Sequence, residues 1–287
     1  MPDRPRPFSR RAFLKAAAHV LGGLALAGPL AWLYSTRVEA HWLAVERLNL
    51  QLPRLPKSFD GFTLAQFSDL HFGPFIGPEQ VRAAVDATLA LQPDAIVVTG
   101  DFVSQLSNRE AEMIVQELSR VSAPDGAFAI LGNHDWWTDS AVVAEAVQRA
   151  GLTLLRNEHV QLRRGDEILY LAGVDDVWEQ KADLPRALAG IADDAPVILL
   201  AHEPDFADTA AADGRVLLQL SGHSHGGQVI IPFLGPVALP YLAHKYPLGR
   251  RQVGGMQVYT NRGIGMIAPP VRFNCRPEIT LFTLHPA

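Results

Sequence analysis

The 287 residues specify a mixed α/β domain, and three observations predict it: short, nearly continuous apolar runs, amphipathic segments of helical period between them, and a chain that is 48% apolar. Continuous apolar runs are expected of strands covered on both faces. That apolar content excludes intrinsic disorder as the main state. With 25 basic against 30 acidic residues the formal net charge is −5, so no nucleic acid is expected as a partner held by a general positive field. Cys275 is the one cysteine, and no intrachain disulfide can form.

The elements follow in order from an uneven N-terminus. Residues 1–15 carry Arg4, Arg6, Arg10, Arg11 and Lys15 against Asp3 alone, and no further charged side chain occurs before Arg37. Between them Ala16 to Tyr34 is rich in Ala, Leu and Gly, which is the layout of an export signal. The junction Ser9-Arg10-Arg11-Ala12-Phe13-Leu14-Lys15 resembles the twin-arginine consensus residue for residue. The competing reading, an amphipathic helix of the folded domain, suits an all-round apolar segment at a terminus poorly. The resemblance implies export of a folded protein by the twin-arginine machinery, to the periplasm or the outer face of the cytoplasmic membrane. Small residues at Ala25-Leu26-Ala27 and Val38-Glu39-Ala40 leave two places for a cut, and the apolar run is almost long enough to stay as an anchor. Residues 1–40 are therefore read as a signal peptide or signal anchor and 41–287 as one domain. Without residues 1–40 the body holds 19 basic and 28 acidic residues and is distinctly acidic.

Strands are expected at Ala44 to Leu50, Phe62 to Ser68, Ala95 to Thr99, Ala127 to Leu131, Ile168 to Gly173, Val197 to Ala201, Val216 to Ser221, Gln228 to Ile231, Met256 to Thr260 and Glu278 to Leu284. Helices are expected at Glu79 to Leu91, with Val81, Val85 and Thr88 on one face; at Asn108 to Val121, with Ile114, Leu118 and Val121; and at Asp139 to Ala150, with Val143 and Val147. Asn108 and Asp139 read as N-caps. Leu52 to Lys57 is a Pro-rich connector.

Chemistry-bearing residues follow the strands directly. Phe62 to Ser68 runs into Asp69-Leu70-His71, Ala95 to Thr99 into Gly100-Asp101, Ala127 to Leu131 into Gly132-Asn133-His134-Asp135, Val197 to Ala201 into His202, and Val216 to Ser221 into Gly222-His223-Ser224-His225. Side chains beyond the carboxyl ends of neighbouring strands converge on one crevice in an open α/β sheet. Carboxylate, imidazole and amide oxygen together suit manganese, iron or zinc, and the lack of cysteine ligands disfavours a structural zinc knot. Seven ligands exceed one tetrahedral site but fill a pair of metals sharing a carboxylate, the arrangement that activates water for in-line displacement at phosphorus. Two divalent ions, two aspartates and a hydroxide leave a residual charge that attracts a phosphate ester. A lone histidine such as His202 is more often structural than a ligand; the ordered set is what selects it.

The series Asp-x-His, Gly-Asp, Gly-Asn-His-Asp, His and Gly-His-x-His, from Asp69 to His225, resembles the calcineurin-like metallophosphoesterase superfamily. The resemblance implies a four-layer αββα sandwich, metallo-dependent phosphatase-like, with two divalent metal ions (Mn, Fe or Zn). Asp69, His71 and His225 would bind one metal and Asn133, His202 and His223 the other, with Asp101 bridging. His134 would contact phosphate or protonate the leaving oxygen, with Asp135 either tuning it or serving only as a helix-capping acid. The mechanism implied is in-line attack on phosphorus by a hydroxide held between the metals.

Ser104-Gln105 stands where phosphoprotein phosphatases of this superfamily carry Asp-Arg, which lowers the expectation of that activity. Asn261 to Gly265 and Pro270 to Glu278 resemble the exported YkuE/YaeI-like phosphodiesterase branch, which implies phosphodiester hydrolysis, with phospholipids or a nucleotide-sugar lipid among the substrates. A phosphomonoesterase, and a catalytically silent exported metal-binding envelope protein, are the alternatives. Arg262 and Arg272 read either as phosphate contacts or as ordinary ion-pairing residues, and Cys275 as packing. The Pro-interrupted apolar stretch Val229 to Pro247 reads as a loop tucked on the sheet or as a lip that admits an acyl chain or meets the membrane.

Overall fold

The computed structural model describes residues 10–104 and 107–287, without the side chains of 12–14, 16–26 and 108. Arg4, Arg6, Ser9 and Gln105, which enter the reading above, lie outside the described residues. Helix α1 (Arg10–Arg37) leads into the first sheet, made of β1 (Ala44–Leu52), β2 (Phe62–Phe67), β3 (Ala95–Thr99), β4 (Ala127–Ile130) and β5 (Thr153–Leu154). Its connections are α2 (Pro78–Ala90), α3 (Asn108–Leu118), α4 (Asn133–Thr138) and α5 (Ser140–Arg149). The chain then builds a second sheet from β6 (Glu158–Arg164), β7 (Glu167–Gly173), β8 (Val197–Leu200) and β9 (Val216–Ser221), with α6 (Leu184–Ala187) and α7 (Ala207–Asp213) in the connections. A short ribbon of β10 (Ile230–Ile231) and β11 (Gly235–Pro236) follows, then β12 (Gly249–Val253) and β13 (Met256–Thr260) in the second sheet. Strand β14 (Glu278–Pro286) returns to the first sheet between β1 and β2.

The first sheet runs β1-β14-β2-β3-β4-β5 and the second β12-β13-β9-β8-β7-β6. Strands β2 to β5 are mutually parallel, as are β7, β8, β9 and β13, while β14 pairs antiparallel with β2. Alternation along the strands explains their continuous apolar runs. In β3, Ala95 and Val97 pack between the sheets while Ile96 and Val98 face α2, α3 and α5. In β8, Ile198 and Leu200 enter the same central layer while Val197 and Leu199 pack with residues of α6 and α7. Three apolar cores separate four layers, the αββα sandwich expected from the resemblance.

Helix limits track their causes. Val81, Val85 and Thr88 of α2 are buried, and Asp139 caps α5 by accepting from the amides of Ala141 and Val142. The cap of α3 is Ser107 rather than Asn108, its hydroxyl accepting from the Arg109 amide while Glu110 reaches back to the Ser107 amide. The strand expected over Gln228 to Ile231 is only the two-residue β10. Four strands were not expected: the two-residue β5 and β11, and the two outermost strands of the second sheet, β6, which buries only Leu162, and β12, which buries only Val253, where one apolar contact is enough.

The end of α1 is docked on the domain. The Ser35 carbonyl accepts from the Arg272 amide at 3.0 Å, and the buried Glu39 carboxylate accepts from the Cys275 amide at 2.6 Å. Among the described residues no helix is long and apolar enough to cross a membrane.

Candidate metal centre

The carboxyl ends of β2, β3, β8 and β9, with the N-terminus of α4 after β4, carry all seven expected ligands, and the structure gathers them. Asp69, His71 and His225 form one cluster of potential donor atoms and Asp101, His202 and His223 another, with every such atom of a cluster within 4.8 Å of the rest. Asp101 lies between the clusters: its Oδ2 is 3.4 Å from His71 Nε2 and 3.2 Å from His202 Nε2. Asn133, buried, lines the same cavity as Asp101, His134, His223 and His225.

The donor set fits divalent cations. His71 Nε2 and His225 Nε2 face each other at 3.0 Å, and His225 Nε2 is 3.4 Å from Asp69 Oδ1. Asn133 Oδ1 and His202 Nε2 are buried without a hydrogen-bond partner, a cost that ligation removes. Carbonyls can only accept, so His202 Nδ1 donates to the Thr99 carbonyl at 2.7 Å and His223 Nε2 donates to the Tyr241 carbonyl at 2.7 Å. Each bond leaves the opposite ring nitrogen facing the site, able to ligate once it carries no proton. His71 Nδ1 pairs with the Ser104 hydroxyl at 2.9 Å, turning Nε2 toward Asp101.

Electrostatics point the same way. Burial pushes His71 down to about 3 and lowers His223 and His225, so these rings are held in the neutral, ligating form. Burial also pushes Asp69 up to about 7. Burial acts to raise Asp101 as well, but His202, His134 and His71 together hold it well below the usual carboxylate range. His202 is raised in return, its burial outweighed by the Asp101 carboxylate. The proton retained by that pair is the one that competes with a cation.

Local backbone geometry is specialised for this convergence. Asp69, His71, Asp101, His223 and His225 all have left-handed φ, between 49° and 69°, a conformation that costs a non-glycine residue about 1 kcal/mol or more. Glycine is required beside them: a Cβ at Gly222 would overlap Ser68 Oγ and Asp69 Oδ2, and one at Gly132 would overlap Asp101 Oδ1. Below the ligands, Gln66 Nε2 ties the sheets together by donating to Thr99 Oγ1 and the Ser221 carbonyl.

His134 is half-buried with its ring 4.7 Å from that of His71 and 4.8 Å from that of Trp137, and its amide donates to Asp101 Oδ1 at 2.9 Å. Asp135 sits behind the cavity wall. It is fully buried, with Oδ1 accepting from the Phe102 and Val103 amides and Oδ2 from the Gly132 amide. Its carboxylate thus binds the loop after β3 to the loop after β4, and none of its hydrogen bonds goes to the His134 ring.

Sequence reasoning did not single out Trp137, Trp178 or Tyr241, which form the aromatic side of the site. Trp178 stands edge-on to His223, Tyr241 and Trp137, and the Trp137 indole is anchored on Glu179. No motif marks them, because they come from three separate segments: Trp137 from α4, Trp178 from the loop after β7 and Tyr241 from the stretch between β11 and β12. Arg262 and Arg272 do not reach the cavity. Arg272 is fully buried and donates to the carbonyls of Arg262, Gly263, Gly265 and Cys275, while Arg262 pairs with Glu46 and Glu278. Cys275 is buried, as its reading as packing requires.

The calcineurin-like phosphoesterase profile matches residues 62–227. The uncharacterized metallophosphoesterase YkuE of Bacillus subtilis is 35% identical over 282 residues, covering 97% of this chain and 98% of its own. The phosphodiesterase YaeI of Escherichia coli is 28% identical, covering 96% and 99% of the two chains. The UDP-2,3-diacylglucosamine pyrophosphatase LpxG of Chlamydia trachomatis is 28% identical over 89% of this chain and 94% of its own.

Proposed function

The chain belongs to the calcineurin-like phosphoesterase family and is a hydrolase of phosphoric esters that uses divalent metal, and from that premise we propose that it is a two-metal phosphodiesterase. The observation that carries the reading is the position of Asp101, whose Oδ2 faces His71 on one side and His202 on the other. Asp69, His71 and His225 would hold one cation, Asn133, His202 and His223 the other, and Asp101 would serve both. When bound, the cations supply Lewis acidity toward phosphoryl oxygen and make water acidic enough to attack at neutral pH.

The remaining residues orient and protonate. His134, beside His71 at the cavity wall, donates a proton to the departing ester oxygen. Asp135 is a positioning residue, fixing the loops that carry Asp101 and His134 through three amide hydrogen bonds. Diesters are favoured over monoesters by charge. Among the described residues lining the cavity none is Lys or Arg, so beyond the cations only His134, spent on the leaving oxygen, could offset the second charge of a monoester. The names of the relatives, phosphodiesterase for YaeI and pyrophosphatase for LpxG, both describe cleavage at a phosphorus bearing two substituents.

Manganese-loaded protein is expected to hydrolyse bis-p-nitrophenyl phosphate with a kcat/KM at least about tenfold above that for p-nitrophenyl phosphate, the scale of one lost charge compensation of about 1.4 kcal/mol. Preference for the monoester would overturn the diester reading. Metal binding without turnover of either ester would favour the silent envelope protein.

Export by the twin-arginine route, to the periplasm or the outer membrane face, is part of the same proposal and is supported by the Ser9 to Lys15 pattern. Replacing Arg10 and Arg11 together by Lys is expected to hold the protein in the cytoplasm, read by cell fractionation with metal content unchanged. Undiminished export of that variant would reject the route.

A further inference from the structure

A second cavity opens beside the metal centre and takes no part in the roles assigned above. It holds about 370 Å³, in the range of small-ligand sites, and shares His223, His225, Pro240 and Ile267 with the cavity over the ligands. Its other walls include Val229, Val237, Leu239, Pro269 and Val271. Gln228, the most polar of them, is spent internally: its amide nitrogen donates to the carbonyls of Ile267 and Pro269, and its oxygen accepts from the Ile267 amide. Ser224 Oγ accepts from the Gly226 amide, and among the described walls only His225 Nδ1 is a buried polar atom without a partner. No Asp, Glu, Lys or Arg side chain lines it.

We propose that this cavity binds the aliphatic chain of a lipid phosphodiester whose phosphorus lies over the metals. The inference rests on the phosphodiesterase reading and names its substrate class. Continuity with the ligand cavity identifies the occupant: whatever fills the apolar chamber is attached to the phosphoryl group next to it. The walls identify its chemistry, since a sugar or a base would bring several hydroxyl or amide groups against walls whose one buried, unpartnered side-chain atom is His225 Nδ1. The route in is apolar too. Val229 and Val237 line the chamber at the base of the β10–β11 ribbon, and the ribbon carries Ile231, Phe233 and Leu234 exposed, Phe233 completely. An apolar ribbon rooted in the chamber wall gives a chain a continuous surface from outside to the phosphorus.

The test is calorimetric titration of the manganese-loaded full chain with the O-methyl esters of ethyl-, hexyl- and decylphosphonic acid, below micelle formation. Affinity is expected to rise at least about tenfold from the ethyl to the hexyl compound, since each buried methylene contributes up to roughly fourfold, with an increasingly negative heat-capacity change. In Val237→Glu, at a residue exposed enough to accept the change, the dependence on chain length is expected to flatten. A flat series in the unaltered protein, or a series unchanged by Val237→Glu, would overturn the proposal. Turnover of bis-p-nitrophenyl phosphate, measured on the same sample, isolates the other failure: a flat series with turnover present removes the lipid site alone, and absent turnover removes the phosphodiesterase reading.

Discussion

Asp101→Ala is expected to remain folded, to bind fewer than two equivalents of manganese and to lose more than about a hundredfold in turnover. Loss of a residue that merely supports a ligand costs 10- to 100-fold in typical sites, and Asp101 would itself be a ligand to both cations. Folding survives because two effects oppose. The His134 amide loses its acceptor, a cost of about 1–3 kcal/mol, and His202 loses the carboxylate that raises it. Against this, the Asp101 carboxylate raises both Asp69 and Asp135, and its removal relieves that repulsion among buried acids. Asp101→Asn, which keeps an acceptor for the His134 amide but drops the charge, separates the contributions: it is expected to match the native melting temperature more closely than Ala does while still losing metal. Two equivalents of metal in Asp101→Ala, counted by elemental analysis, would end the bridging assignment.

His134→Ala is expected to retain both equivalents of metal and lose about 10²- to 10⁴-fold in kcat, the range for a general acid. Its ring stands half-buried at the cavity wall, a ring nitrogen within 4.8 Å of donor atoms of His71 and Asp101, whereas Nε2 of His71, His202 and His225 lies within 3.4 Å of an Asp69 or Asp101 oxygen. The size of the loss should depend on the leaving group. p-Nitrophenolate departs without protonation, whereas an alkoxide does not, so the deficit is expected to be several-fold larger on an alkyl diester than on bis-p-nitrophenyl phosphate. An equal deficit on both would mean that His134 binds phosphate rather than protonating the leaving oxygen.

The strands that carry the site were legible because each is short, buried on both faces and followed directly by a polar residue with nothing else to do. Val97-Val98-Thr99 followed by Gly100-Asp101 is such a case: the strand alternates between two cores and its end faces the cavity. The edge strand β6 was not legible, since Glu158–Arg164 buries one side chain and reads as a polar loop. The support of the site escaped sequence reading for a different reason. The acceptors that orient His202 and His223 are main-chain carbonyls of Thr99 and Tyr241, and any residue at those positions supplies one. Trp178 reaches His223 only because the Asp176 and Glu203 carboxylates receive the amides of the loop that carries it, a closure distributed over distant residues.

The left-handed backbone at Asp69, His71, Asp101, His223 and His225 sets a direction for change. Glycine or asparagine at any of the five would relax the main chain, so a descendant freed from turnover could gain thermal tolerance by shedding its ligands. In this polypeptide every one of those positions still holds aspartate or histidine. The resting fold therefore carries a load that cation binding would offset, and chelation should soften these loops before it loosens the sandwich beneath.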